Sequence, residues 1–252
     1  MKKLLLFIGA VTIMSCSNDP IEFNNAVVNP KIYAERVPGI SASLPDAWEL
    51  ELSDNVLNKI KINSSQEDTF NYTGGKLSEV NHFSNSIFTG SDEFIYDTNG
   101  RVLSITGRNT DNVVTYTRLF NYSDPDLIEE VNSTYNASGV ITGGYTVFKK
   151  IENGNLLQYN FEDSQLDTYV YDTKENVFSN LESLNELVLY YSNDRVGRNN
   201  RTGSSSQFYY NGNLLNSTSM TFVNEYDADN KINKRSVLIS GVEHYKELFS
   251  YK

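Results

Sequence analysis

One short pattern recurs along the chain and limits what it can fold into: an aromatic residue, a spacer, a tyrosine, a polar turn and an apolar restart. Phe70-Asn71-Tyr72 leads into Thr73-Gly74-Gly75-Lys76-Leu77, and Phe94-Ile95-Tyr96 into Asp97-Thr98-Asn99-Gly100-Arg101-Val102. Phe120-Asn121-Tyr122 runs into Ser123-Asp124-Pro125, with proline in place of the glycine turn. Tyr169-Val170-Tyr171-Asp172, Phe208-Tyr209-Tyr210-Asn211-Gly212 and Asn224-Glu225-Tyr226-Asp227-Ala228-Asp229-Asn230-Lys231-Ile232 follow, and Phe249-Ser250-Tyr251 opens another unit. Asn153-Gly154-Asn155-Leu156 keeps the turn behind a degraded first strand. Residues two apart on a strand share a face, so each aromatic-x-Tyr pair makes a stripe. Asn-Gly and Gly-Gly accept the positive φ angles of tight hairpins. Each unit is therefore strand, turn, strand.

The predicted fold is all-β: one domain over 46–252, an antiparallel meander of repeated hairpins that curls into a soluble barrel-like or open curved sheet. The stripes are its core, with Phe94, Phe120 and Phe208 in equivalent positions. Ser91, Glu93 and Ile95 share the other face of one strand, and a charge there interrupts the apolar band that a membrane barrel needs. One segment breaks the pattern. Ser179-Asn180-Leu181-Glu182 has capping-box spacing, and Leu181, Leu184, Val188 and Tyr191 recur at helical intervals, predicting a short helix near 180–191. A polar loop over 194–203 follows it.

Tyr96-Asp97-Thr98-Asn99-Gly100-Arg101-Val102 resembles the Tyr-Asp repeat of RHS-type proteins. Tyr171-Asp172 leading to Asn176-Val177-Phe178, the 180–191 helix and Asn199-Asn200 extend the likeness. Over 50–252 the chain resembles uncharacterised bacteroidete lipoproteins with a porin-like fold, whose Asn-Pro-Phe turn has Val177 here in place of proline. The resemblance implies an antiparallel meander curling into a barrel, and no activity.

The N-terminus reads as an address. Lys2 and Lys3 precede an apolar run from Leu4 to Met14, too short to cross a ~30 Å hydrocarbon core as a helix. Ile13-Met14-Ser15-Cys16 resembles a lipobox, which makes 1–15 a signal peptide and Cys16, the one cysteine of the chain, its lipid attachment site. Residues 16–45 hold four of the five prolines and little periodicity, as a tether does. The expected location is the cell envelope, on the outer membrane, with the lipid as the membrane contact.

The formal charge of −11 disfavours nucleic acid as a partner. No phosphate-cradling glycine motif is present, and no cofactor is implied. His82 and His244 lack triad partners in sequence and read as surface strand histidines. Asp124, Asp126, Glu129 and Glu130 form an acidic cluster. Asp124 and Asp126 are the candidate metal ligands, and Asp124 with Glu129 the candidate pair of a glycan-active enzyme. A solvated turn is the ordinary alternative. Arg195, Arg198 and Arg201 are the candidate ligand-binding cluster, able to hold a carboxylate or an acidic glycan, or else a solvated loop. The first reading is thus a non-enzymatic binding or interaction module of the envelope with a glycan or envelope-protein partner. The alternatives are the glycan-active enzyme and a structural subunit of an envelope assembly.

Cys16→Ser is expected to leave an unprocessed precursor that takes up no radioactive palmitate, while the wild type labels. Label on the variant, or none on the wild type, contradicts the anchor.

Overall fold

The computed structural model describes residues 30–36, 47–162, 164–192 and 196–251. The expected leader, Cys16 and most of the expected tether lie outside the described residues. Sixteen strands are present among them. The first eight are β1 (Lys31–Arg36), β2 (Trp48–Ser53), β3 (Val56–Ile62), β4 (Gln66–Thr73), β5 (Lys76–Ser84), β6 (Ile87–Tyr96), β7 (Val102–Asn109) and β8 (Val114–Asn121). The others are β9 (Ile128–Tyr135), β10 (Ile141–Glu152), β11 (Asn155–Phe161), β12 (Gln165–Glu175), β13 (Asn199–Tyr210), β14 (Asn213–Tyr226), β15 (Ile232–Ile239) and β16 (Val242–Ser250). Each pairs antiparallel with its neighbours in sequence, and β1 pairs with β16 to close a barrel. The expected tether is corrected here: residues 31–36 are the strand that completes the wall, joining β16 over six residue pairs and β2 over two.

Turn chemistry explains the meander. Both central residues have positive φ at Asp54-Asn55, Gly74-Gly75, Asn85-Ser86, Asn153-Gly154, Asn211-Gly212 and Ser240-Gly241. That geometry matches the twist of the strands it joins. Four longer turns open on a carboxylate or amide that accepts the backbone N–H groups two and four residues on. Asp97 Oδ1 takes those of Asn99 and Arg101, and Asp227 Oδ1 those of Asp229 and Lys231. Asn109 and Asn136 do the same in their turns. The aspartate of the Tyr-Asp element is thus a turn builder.

The tyrosine of the repeat joins one hairpin to the next. Tyr72, Tyr96, Tyr122, Tyr171 and Tyr251 donate their hydroxyls to the carbonyls of Leu57, Leu77, Val102, Leu156 and Ile232 at 2.7–3.0 Å. All five acceptors are buried residues just past a turn at the same end of the barrel. The basic residue before three of them covers the next tyrosine ring: Lys76 over Tyr96 at 4.6 Å, Arg101 over Tyr122 at 4.4 Å and Lys231 over Tyr251 at 5.1 Å.

That end of the barrel is closed. Between β12 and β13, the described residues 176–192 turn into the lumen and carry helix α1 (Leu184–Tyr191). Phe178, Leu181, Leu184, Leu187, Val188 and Val196 join one core with Leu50, Leu57, Ile60, Leu77, Ile105, Leu156 and Ile232 of the wall. Trp48 packs against Phe178 and Tyr191, and Phe94 against Tyr190. The helix begins at Leu184, four residues after the expected start, and its N-cap Ser183 makes no side-chain cap bond. Ser179 is buried instead, so the capping-box spacing was not used as a cap. The polar loop expected over 194–203 is also corrected, since β13 begins at Asn199.

Phe94 and Phe120 are core, at 6% and 4% exposure, but Phe208 is only half-buried. The reason is strand direction. β4, β6, β8, β12, β14 and β16 run toward the closed end, whereas β13 runs away from it, so Phe208-Tyr209-Tyr210 ends at the open rim. Outside, the wall carries cross-strand ion pairs: Lys31–Glu49, Lys59–Glu67 and Lys234–Glu225.

Phe94→Ala is expected to cost ~3–5 kcal/mol and Tyr96→Phe ~1 kcal/mol, whereas Phe208→Ala costs under ~1.5 kcal/mol. Urea unfolding of the three variants checks the order, and equal losses at Phe94 and Phe208 contradict the assignment.

Candidate functional site

The inward stripe continues beyond the aromatic pair. In five of the units a charged side chain stands two residues before the aromatic: Asp68 before Phe70, Asp92 before Phe94, Arg118 before Phe120, Asp167 before Tyr169 and Glu247 before Phe249. Because alternate residues share a face, these groups enter the lumen above the aromatic layer. The lumen is therefore apolar toward its plugged end and polar toward its open end. The unit is charged-x-aromatic-x-Tyr, and its first position was legible in the same spacing as the rest.

Three ionic groups fill the polar layer. His82, expected on the surface, points inward between two carboxylates, with Nδ1 2.7 Å from Asp68 Oδ1 and Nε2 3.2 Å from Asp92 Oδ2. It faces inward because β5 pairs His82 with Asp68 of β4 and Gly90 of β6, both inward positions. Tyr190 and Tyr191 at the end of α1 donate hydroxyls to Asp92 at 2.5 Å and Asp68 at 2.9 Å. Burial alone would lower the imidazole's pKa, but the bonds to Asp68 and Asp92 override it and hold His82 at about 10. Burial likewise pushes Asp92 up, and the bonds from His82, Tyr116 and Tyr190 more than reverse it. Tyr116 lies where Gly107 leaves room: a Cβ there would sit 2.1 Å from its ring.

The second group centres on Glu130. Arg118 grips it with Nε at 2.8 Å and Nη2 at 3.1 Å, and Lys149 Nζ also contacts it. The same cations meet the C-terminus of α1. Arg118 donates to the carbonyls of Tyr190 and Leu189 at 2.9 Å, and Lys149 to Leu189 at 3.3 Å and Ser192 Oγ at 2.5 Å. Cations are favoured at that end of a helix. Burial brings Lys149 down to about 8, against the opposing pull of Glu130. Glu130 would be raised by burial, but Lys149 and Arg118 hold it below the usual carboxylate range.

The third group is on β13 to β16. Arg235 is fully buried, 3.2 Å from Glu247 and 3.0 Å from Asn224. Arg201 lies 3.7 Å over Phe222, and burial together with Arg235 brings it down to about 10.

The sequence candidates are dispersed. Arg195 lies outside the described residues, while Arg198 is exposed and Arg201 is buried in the lumen, so these two do not share one surface. Asp124 and Asp126 are exposed in a turn, where Asp124 Oδ1 accepts the Asp126 N–H at 2.7 Å. Glu129 faces outward to Asn121 while Glu130 faces inward to Arg118. No group of three or more acidic, imidazole or thiol side chains among the described residues is arranged to hold a metal. His244 is half-buried on β16.

A cavity of 470 Å³ opens above the Glu130 group, lined by Tyr116, Asn132, Tyr145, Lys149 and Tyr159 among others. Asn132 is 7% exposed, and its Nδ2 is buried without a hydrogen-bond partner. Buried amides are almost always bonded, so this one marks a place for a ligand or a solvent molecule.

No family model matches the sequence, and no curated protein matches it. Among solved structures the chain is similar to a porin-like protein from Bacteroides uniformis, at 9% identity and a TM-score of 0.39, over 90% of this chain and 96% of that one.

The His82 pKa makes a signed prediction. Its contribution to stability is complete below 6.5, its ordinary value, and is lost as pH rises through about 10. In a sealed site that shift is worth ~5 kcal/mol, and solvent reaching part of the ring screens it to ~2 kcal/mol. The stability gap between wild type and His82→Gln should therefore hold to about pH 6.5 and narrow by ~2 kcal/mol by pH 10. A gap that widens over that window contradicts an imidazolium between the carboxylates.

Proposed function

We propose that this chain is a non-enzymatic module of the cell envelope: a plugged barrel standing in water, carried on a lipid at Cys16, that binds a small polar ligand in the open half of its lumen. The observation that carries this reading is the 470 Å³ cavity whose wall includes the buried, unpartnered amide of Asn132. Its volume falls in the range of small-molecule sites. The floor is rigid, because Arg118, Lys149 and Glu130 tie the wall to the end of α1.

Two other roles are less well supported. Conduction needs a continuous lumen, and α1 with its flanking turns occupies the closed end. A lipid-facing wall would place Lys59, Glu67, Lys234 and Glu225 in hydrocarbon, at a cost of several kcal/mol. General acid catalysis by a carboxylate needs one with a raised pKa. Asp92 and Glu130, the two buried carboxylates with a resolved shift, are both lowered.

A second reading has its own observation. Ile87, Val140, Ile141, Tyr210, Leu214 and Leu215 are exposed apolar residues at hairpin tips around the open rim. They favour an envelope-protein partner seated over the mouth.

Thr134 is exposed at the cavity mouth. A metabolite and saccharide library screened by saturation-transfer NMR should yield ligands that the wild-type barrel binds and Thr134→Trp does not. Binding that survives the tryptophan places the ligand elsewhere and overturns the luminal site.

A further inference from the structure

We propose that the luminal ligand is an uncharged sugar, the end of a neutral oligosaccharide, held by Tyr145 and Asn132. This rests on the lumen being the binding site and goes on to name what enters it.

The two cations that line the cavity, Arg118 and Lys149, are already engaged. All three hydrogens of Lys149 have acceptors in Glu130, Leu189 and Ser192. Arg118 spends four donations on Glu130 and two helix carbonyls. An anionic ligand would have to displace Glu130 or the helix end to reach either one. The charges of the whole polar layer also balance: His82, Arg118, Lys149, Arg201 and Arg235 stand against Asp68, Asp92, Glu130, Asp167 and Glu247. The layer thus carries no net formal charge to draw an ion of either sign into the cup.

What faces the space is neutral and amphipathic. Tyr145 is 38% exposed at the mouth, and its ring is backed by Phe161 at 5.0 Å. A braced ring of this kind presents an apolar face at little entropic cost. Tyr116 and Tyr159 line the walls, and Asn132 adds an amide donor without a partner. A purely apolar ligand would leave that amide without a hydrogen bond, which is unfavourable for a buried donor. A sugar ring matches both demands. Its C–H face covers an aromatic ring, and its hydroxyls accept from an amide and bond phenols.

The test uses the mature full chain on an array of neutral and acidic oligosaccharides, followed by calorimetric titration of each neutral binder. The expected result is a neutral oligosaccharide that binds the wild type and is weakened roughly tenfold or more by both Tyr145→Ala and Asn132→Asp. Circular dichroism melts confirm that both variants fold. Tyr145→Ala alone decides the question if Asn132→Asp unfolds, since Tyr145 lies at the mouth rather than in the core. Binding of acidic oligosaccharides alone overturns the proposal, as does neutral binding unchanged by Tyr145→Ala. A non-sugar ligand blocked by Thr134→Trp, with no neutral glycan bound, overturns the sugar and leaves the cup standing. No binder of any kind removes both.

Discussion

A single hydrogen bond, repeated five times, organises this barrel. The tyrosine that ends the first strand of one unit donates to the carbonyl of the apolar residue that restarts the chain after the previous turn at the same end. Each such bond contributes only ~1 kcal/mol, yet it fixes where the ring of every unit lies along the wall. With the tyrosines in register, the aromatic two residues earlier forms the next layer inward, and the charged residue two earlier again forms the layer above. Strand alternation alone sets which face a residue occupies; the tyrosine bond sets its height. Tyr226 shows the rule under variation. Its hydroxyl turns to the carboxylate of Asp172, beside the strand end from which the plug departs.

Closing sixteen strands into a ring creates a second problem, because barrels of that size enclose space that side chains alone do not fill. The chain solves it with the one segment that breaks the hairpin rhythm. Leu184, Leu187, Val188 and Leu189 are buried around an eight-residue helix, a distribution that belongs to a helix surrounded by protein. So short a helix has no independent stability, and the barrel wall supplies it. Arg118 and Lys149 take its last carbonyls, while Tyr190 and Tyr191 reach the carboxylates on the opposite side.

Much of this was legible in the sequence. The hairpins, their turns, the core roles of Phe94 and Phe120 and the existence of the helix all follow from local spacing. The misses share a cause, which is dependence on distant partners. Residues 31–36 become a strand only because β16 offers them an edge. His82 faces inward because of its register with Asp68. Phe208 leaves the core because its strand runs opposite to those of the other units. The charged stripe is a different case: its spacing was visible at Asp68, Asp92, Arg118 and Glu247, but charges at period two are ordinarily read as a solvated face. Inside a closed barrel that expectation reverses.

The polar layer is costly by ordinary accounting. Desolvating Lys149, Arg235, Glu130 and Glu247 consumes most of what their pairing returns, and apolar residues of similar volume would often serve stability as well. A greasy lumen would still pack around α1, but it would accept the helix in several rotations and depths. Bonds from Arg118 and Lys149 to named carbonyls, and from Tyr190 and Tyr191 to named carboxylates, admit one. The ionic layer thereby fixes the position of the plug, and so the shape of the cavity floor above it. In the proposed binding role, a cup that discriminates between small ligands needs a floor of fixed shape, and buried charge secures that shape at the expense of stability.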